Sequence, residues 1–406
     1  MKQHFTLALA MITLGMATSA FASTAISVQT SSPLPLTDRD KKQMANEVKQ
    51  GQDAASDIAK QVAADDAARK DKKEMDPALL DRVNRIGQRL ALTVNTTRYP
   101  AEYGNDTVFP FVWHFHILED KEVNAFSLPG GQVYINTGLL KTVRSDDELA
   151  GVLGHEMTHS AHHHIQSLSH EQSKMSSEMI AGLLAAIIAK VPPRDIGNLA
   201  QGVSYTQMGI MNIKYSQQAE RDADHGGTIV MQKAGFNPVA MLTFMQRLGD
   251  FESFGPQIEA GILRNHPPAP ERVALITEEL QQMNVPVTVS AVRQVTNAPH
   301  ASAHPAADGG QDIVFASSTL PTLADPDGSR VRAIVTKFNT LLDSGLMLYQ
   351  VGYSGDKVLV SDQPLITITP ADVALHPGET PEALAKAAGS ALRNGIYAQT
   401  FSSAKL

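Results

Sequence analysis

The sequence predicts a mostly helical α+β chain, with a small antiparallel sheet in its main domain and a small C-terminal α+β module. Three observations carry this. Apolar residues recur at helical spacing behind recognisable caps over much of the chain. Residues 109 to 136 switch to strand-like alternation around Pro129-Gly130-Gly131. Beyond about residue 312, short strand patterns at Val358 to Val360 and Leu365 to Thr369 precede a helix at Pro381 to Arg393.

The elements follow in order. Residues 1 to 22 carry Lys2, an apolar run from Phe5 to Met16 and a small-residue site, Ala20-Phe21-Ala22. That is a cleavable secretory signal peptide, shorter than the ~20 apolar residues of a spanning helix. There is no cysteine, hence neither a disulfide framework nor a thiol to lipidate, so a lipoprotein is not expected. An exported, disulfide-free chain suits a bacterial periplasm. A net charge of -8 without a basic patch argues against a nucleic-acid partner. Residues 37 to 294 read as the main domain, 295 to 311 as a linker and 312 to 406 as an accessory module.

Within the main domain, Lys41 to Lys73 reads as a solvated helix. Asp76-Pro77 opens a second helix with Leu80, Val83, Ile86 and Leu90 as its buried stripe. Strands are expected at Phe109 to Leu118, Glu122 to Leu128 and Gln132 to Asn136. Met179 to Ala189 reads as a buried helix. Gln217 onward begins another, with Glu220 and Asp224 on one face.

Ser145 and Glu148 form a capping-box pattern that starts a helix at Asp146. On it lies His155-Glu156-Met157-Thr158-His159, the pattern in which two histidines one turn apart bind zinc and the intervening glutamate acts as general base. Shuffling the same composition yields this pattern by accident in roughly one such chain in fifty. A catalytic zinc site takes three protein ligands and keeps one position open. A histidine at position 165 would complete one such class, but Ile165 stands there. A carboxylate from a following helix is the other route. Glu220 fits it, with Asp224 one turn on to accept the free ring N–H of a liganding histidine. His266, held in a proline-rich loop, is a candidate oxyanion donor or displaceable fourth ligand. His162, His163 and His164 read as a solvent-exposed polar continuation of the helix.

Asn124 to Gly131, Thr137 to Leu140, Gly154 to His159, Glu220 to Asp224 and His266 to Arg272 occur in one order. Together they resemble the HtpX-type and BepA-type zinc metallopeptidases, family forty-eight of the metallopeptidases, within the gluzincins. The resemblance covers roughly residues 76 to 285. It implies a zincin-like metallopeptidase domain, one zinc ion per chain held by His155, His159 and Glu220, and Glu156 as base. It also implies that His266 and Arg272 belong to the active site and that Asn124 and Ala125 contact substrate backbone. The family's theme, endoproteolysis of damaged or misassembled proteins, often at a membrane, implies unfolded or misassembled envelope polypeptides as substrates and raises an association with a membrane surface or the outer-membrane assembly machinery. The expected function is therefore a periplasmic zinc endopeptidase in envelope protein quality control. The alternative is a chaperone-like or scaffold protein whose peptidase activity is weak or latched.

Overall fold

The computed structural model of the chain describes residues 30–68, 75–171, 217–254, 270–292, 300–307 and 309–401. The expected signal peptide, the helix expected at Met179 to Ala189 and His266 lie outside the described residues. The described part is mostly helical with small sheets, as the patterning predicts, and the sheets number three among the described residues.

Helix α1 (Asp38–Ala68) starts three residues ahead of the expected position, because Thr37 and Asp40 cap it reciprocally. The Thr37 hydroxyl accepts the Asp40 N–H at 3.2 Å, and the Asp40 carboxylate accepts the Thr37 N–H at 2.8 Å. Helix α2 (Pro77–Thr96) begins at Asp76, whose carboxylate accepts the Ala78 N–H at 2.9 Å, with Pro77 in the first turn. Val83, Ile86, Leu90 and Val94 line its buried face; Leu80, in the first turn, is 40% exposed.

Strands β1 (His114–Leu118), β2 (Ala125–Leu128) and β3 (Gln132–Asn136) form one sheet in the order β1-β3-β2. The β2–β3 hairpin is antiparallel, but β1 runs parallel to β3, so this sheet is mixed. The first two strands are shorter than expected because β3 offers five residues to pair. Upstream, Phe109, Phe111 and Trp113 still alternate into the core without a ladder. The turn needs its glycines: Gly130 and Gly131 have φ of 76° and 92°, and a Cβ on Gly130 would lie 2.5 Å from the Val48 Cα of α1.

Helix α3 (Thr137–Thr142) leads to α4 (Asp146–Ala161), which carries the histidine motif. The Ser145 hydroxyl accepts the Glu148 N–H at 3.0 Å, as predicted. The Glu148 carboxylate reaches the N–H of Arg144, one residue ahead of the cap, at 2.7 Å, and also pairs with the buried Arg247. Residues 148–160 of α4 are all buried, so the helix runs through the core rather than over it. After a break at His163 (φ 57°) comes α5 (His164–Glu171).

Helix α6 (Gln217–Lys233) lies along α4, and α7 (Val239–Phe254), α8 (Pro270–Gln282) and α9 (Val289–Val292) pack behind it. The α4–α6 approach depends on Gly227, where a Cβ would fall 2.9 Å from the His155 backbone nitrogen and 2.7 Å from Met241 Cε. Val83 to Val292 supply one continuous hydrophobic core around these elements.

The C-terminal residues build a separate core from Ala301 to Ile396. Strands β4 (Ser302–Pro305), β5 (Gln311–Phe315) and β6 (Ser318–Thr319) form one antiparallel sheet. Helix α10 (Ser329–Asp343) precedes a second, made of β7 (Val351–Ser354), β8 (Lys357–Val360) and β9 (Gln363–Thr367). Helices α11 (Pro370–Ala374) and α12 (Pro381–Phe401) complete the module. Strand β4 falls inside the stretch expected to be linker. Its proline and polar residues are tolerated because β4 is an edge strand, and Asn339 brackets the preceding Ala301 by accepting its N–H at 2.8 Å and donating to its carbonyl at 3.0 Å. Among the described residues no helix is long and apolar enough to cross a membrane.

Candidate metal centre

His155 and His159 stand one turn apart on α4, with their Nε2 atoms 3.1 Å from each other. Helix α6 brings Glu220 to both: Oε2 lies 3.6 Å from His155 Nε2 and Oε1 lies 3.6 Å from His159 Nε2. All three side chains are buried. An ion bound tetrahedrally at ~2.0–2.1 Å wants its donor atoms ~3.3 Å apart, so these separations fit one ion at the centre of the triad. The donor set, two imidazoles and a carboxylate, is that of a catalytic rather than a closed structural site. Glu156 follows His155 on α4 and is also buried.

Behind the triad, His155 Nδ1 lies 2.9 Å from Asp224 Oδ1. Arg272, from α8, closes this side: its Nε and Nη2 donate to the two Asp224 oxygens at 2.7 and 2.8 Å, and its Nη1 lies 2.8 Å from Glu220 Oε2. Burial alone would raise the Asp224 carboxyl pKa. The Arg272 charge and the hydrogen bonds from Arg272 and His155 reverse this and hold it at about 2. The same attraction outweighs burial at Arg272 and raises its guanidinium above the ordinary value. Arg272 therefore faces the Glu220 and Asp224 carboxylates together.

The run His162 to His164 is not the solvent-exposed continuation expected from the sequence. All three imidazoles are buried, because the left-handed turn at His163 folds the chain back under α4 instead of extending the helix. His162 Nδ1 and His164 Nε2 approach Asp222 Oδ2 at 2.6 and 2.9 Å, and His164 Nδ1 lies 2.7 Å from His159 Nδ1. His163 joins α1 to the site, with Nδ1 2.9 Å from Glu47 Oε2 and Nε2 3.0 Å from the Thr107 carbonyl. Burial lowers the His164 pKa. Against the same burial, hydrogen bonds from His162 and His164 hold the Asp222 carboxyl well below the usual range. Sequence reasoning missed Asp222 and His164. The usable signal was the alternation Glu220-x-Asp222-x-Asp224, three acids on a helix that buries all of them.

Asn124 and Ala125 sit where β2 begins, and both are buried. The Asn124 carbonyl accepts the Asn136 N–H at 2.9 Å, so its backbone bonds inward to β3. By antiparallel alternation, Ala125 turns its N–H and C=O to the outer side of this edge strand.

Residues 80–280 match the model of peptidase family M48. The chain is 30% identical over 220 residues to a beta-barrel assembly-enhancing protease of Yersinia pestis, covering 53% of this chain and 42% of that protein. The Escherichia coli K12 protein of the same name is 29% identical over 220 residues, with the same coverage. A mitochondrial metalloendopeptidase OMA1 of Saccharomyces cerevisiae is 29% identical over 178 residues, covering 42% of this chain and 48% of that protein. The matched stretch spans less than half the length of each of these relatives. A metal cofactor follows from the family and from the buried histidine–acid clusters. Residues 80–280 of this chain are thus a peptidase domain of family M48, built around the helix pair α4 and α6.

Proposed function

We propose that this protein is a zinc-dependent endopeptidase of the bacterial periplasm that acts on unfolded or misassembled envelope polypeptides. The observation that carries the reading is the triad of His155, His159 and Glu220, whose donor atoms stand 3.1 to 3.6 Å apart, with Glu156 on the same buried helix. One bound zinc ion would supply the Lewis acid for a water nucleophile. Glu156 takes the proton from that water as it attacks the scissile carbonyl, and passes it to the leaving amine. Asp224 fixes His155 in the tautomer that leaves Nε2 free to ligate, and Arg272 fixes Asp224 and Glu220. The outward backbone groups of Ala125, with Asn124 beside them, are suited to hold an extended substrate as an added strand. His266 is assigned to the oxyanion or to a displaceable contact with the metal.

Export and envelope substrates rest on the signal-like residues 1 to 22 and on the similarity to the beta-barrel assembly-enhancing proteases. An association with the outer-membrane assembly machinery belongs to the same reading.

The test is cleavage of an unfolded polypeptide by the purified protein with zinc, with a chelator, and as Glu156→Gln. Cleavage is expected with zinc alone. A zinc-loaded Glu156→Gln enzyme that cleaves at the normal rate would overturn the mechanism. Full rescue of a deletion strain by the inactive variant would instead favour a client-holding role.

A further inference from the structure

Both histidines of the triad are backed from the far side of the ring, but in different ways. His155 leans directly on Asp224. His159 leans on another imidazole: its Nδ1 lies 2.7 Å from His164 Nδ1, and His164 Nε2 lies 2.9 Å from Asp222 Oδ2. Asp222 is anchored in turn, since its Oδ1 accepts the backbone N–H groups of Glu102 and Tyr103 at 2.5 and 3.3 Å. His162 approaches the same Oδ2 at 2.6 Å but does not reach His159. His164 and Asp222 are fully buried.

We propose that His164 and Asp222 are positioning residues that fix the tautomer and ring orientation of His159 through a histidine–histidine–aspartate chain. The proposal rests on the reading of His159 as a zinc ligand. If Nε2 of His159 ligates, its proton must sit on Nδ1. Two facing Nδ1 atoms at 2.7 Å share one proton, so His164 accepts at Nδ1 and carries its own proton on Nε2. That proton then points at Asp222, whose carboxylate has only acceptors to offer. Each link dictates the next, and the aspartate, held by main-chain donors, sets the direction. The three acids of α6 thus divide the work: Glu220 ligates, Asp224 orients one histidine, and Asp222 orients the other through His164.

The cluster of His162, His164 and Asp222 is itself a group of donors able to surround an ion. Its separations argue against that use. At 2.6 and 2.9 Å the His162 and His164 nitrogens stand closer to Asp222 Oδ2 than the atoms of the ligand triad stand to one another, at 3.1 to 3.6 Å. An ion held at ~2.0–2.1 Å would have to push those atoms apart.

The test uses the purified full chain loaded with zinc. Long-range proton–nitrogen spectra of the 15N-histidine protein are expected to show His164 protonated at Nε2 and bare at Nδ1; the opposite tautomer would overturn the proposal without any substitution. In chelator competition, His164→Phe is expected to bind zinc about tenfold to a hundredfold more weakly. His162→Gln, which alters the same buried cluster without touching His159, is expected to keep the wild-type affinity. A folded His164→Phe chain with undiminished affinity, an equal loss in His162→Gln, or two zinc ions per wild-type chain would each count against the relay. A His159→Ala chain that keeps its zinc tightly would sink the ligand reading beneath it. Zinc lost in His159→Ala yet unaffected in His164→Phe would sink the relay alone.

Discussion

Arg272 stands between Glu220 and Asp224, two buried carboxylates whose charges have no water to shield them. Removing one partner of a buried ionic cluster typically costs about 3–5 kcal/mol, because the charges left behind are uncompensated. Arg272→Met is therefore expected to lower the unfolding free energy of the metal-free protein by that order, with part of the loss recovered when zinc is added. Urea titration with and without a chelator would measure both. A second residue-scale expectation concerns the C-terminal residues. Asp372 is held by both Nη atoms of Arg330 at 2.8 Å, by the Thr369 N–H and hydroxyl, and by the Ala324 N–H. Burial pushes its carboxyl up, but these donors win and lower it from 3.8 to about 2. A folded pKa below the unfolded one gives stability that is present above about pH 4 and is lost as pH falls through about 2. The amount is about 2 kcal/mol. Asp372→Asn should lie below wild type at pH 6 and converge on it towards pH 2 in denaturant midpoints of the C-terminal core. A constant offset across that range would refute the linkage.

At the scale of elements, the site is a property of the α4–α6 pair rather than of either helix. Gly227→Ala would set a methyl 2.9 Å from the His155 nitrogen and 2.7 Å from Met241 Cε. The helices would have to part, and overpacking of this kind costs about 1–3 kcal/mol. Because Glu220 rides on α6, the variant is expected to lose zinc affinity as well as stability, while Gly249→Ala, which meets only Met347 Cε at 3.9 Å inside a helix, should leave zinc affinity unchanged and not lower stability. Equal zinc affinity in the two variants would contradict this account. The same elements show what was legible beforehand. The α4 cap, the two histidines and Glu220 could be read because capping and 3.6-residue spacing are local rules. The β1 ladder was over-read, since alternation reports burial and not pairing: Phe109, Phe111 and Trp113 are buried ahead of the strand. The early start of α1 was missed because Thr37 and Asp40 use an aspartate where the usual box has Glu or Gln. For His164 and Asp222 the sequence offered only the acidic alternation Glu220-x-Asp222-x-Asp224, and nothing that said the two would meet. They meet only because His163 turns left-handed and α6 buries all three of its acids, and both are tertiary facts.

Across the whole molecule the chain has two main cores, and the two helices that carry the candidate triad pack in the first. Helices α4 and α6, which hold the triad, pack in the core that runs from Val83 to Val292, while Ala301 to Ile396 form the other. Directed bonds join the two: Gln246 Nε2 donates to the Gly345 carbonyl at 2.9 Å, and Arg144 Nη2 to the Gln399 carbonyl at 2.9 Å. A ligand that binds only the folded form stabilises it by about 2.7 kcal/mol at a hundredfold excess over its Kd. Here that gain falls on the first core, because no C-terminal residue contributes to the triad. The sole tryptophan, Trp113, is buried in that core and stacks edge-on with Phe111 at 6.0 Å, so its fluorescence reports there and nowhere else. Zinc is expected to raise the Trp113-detected melting midpoint, and a chelator to lower it. The heat absorbed by the C-terminal core, separated by calorimetry, should stay at one temperature in both conditions. If the two transitions move together by the same amount, the cores unfold as a single cooperative unit, and the pair of bonds from Gln246 and Arg144 must be backed by apolar contacts from Leu342, Leu346, Met347 and Ile396 that are strong enough to carry the coupling.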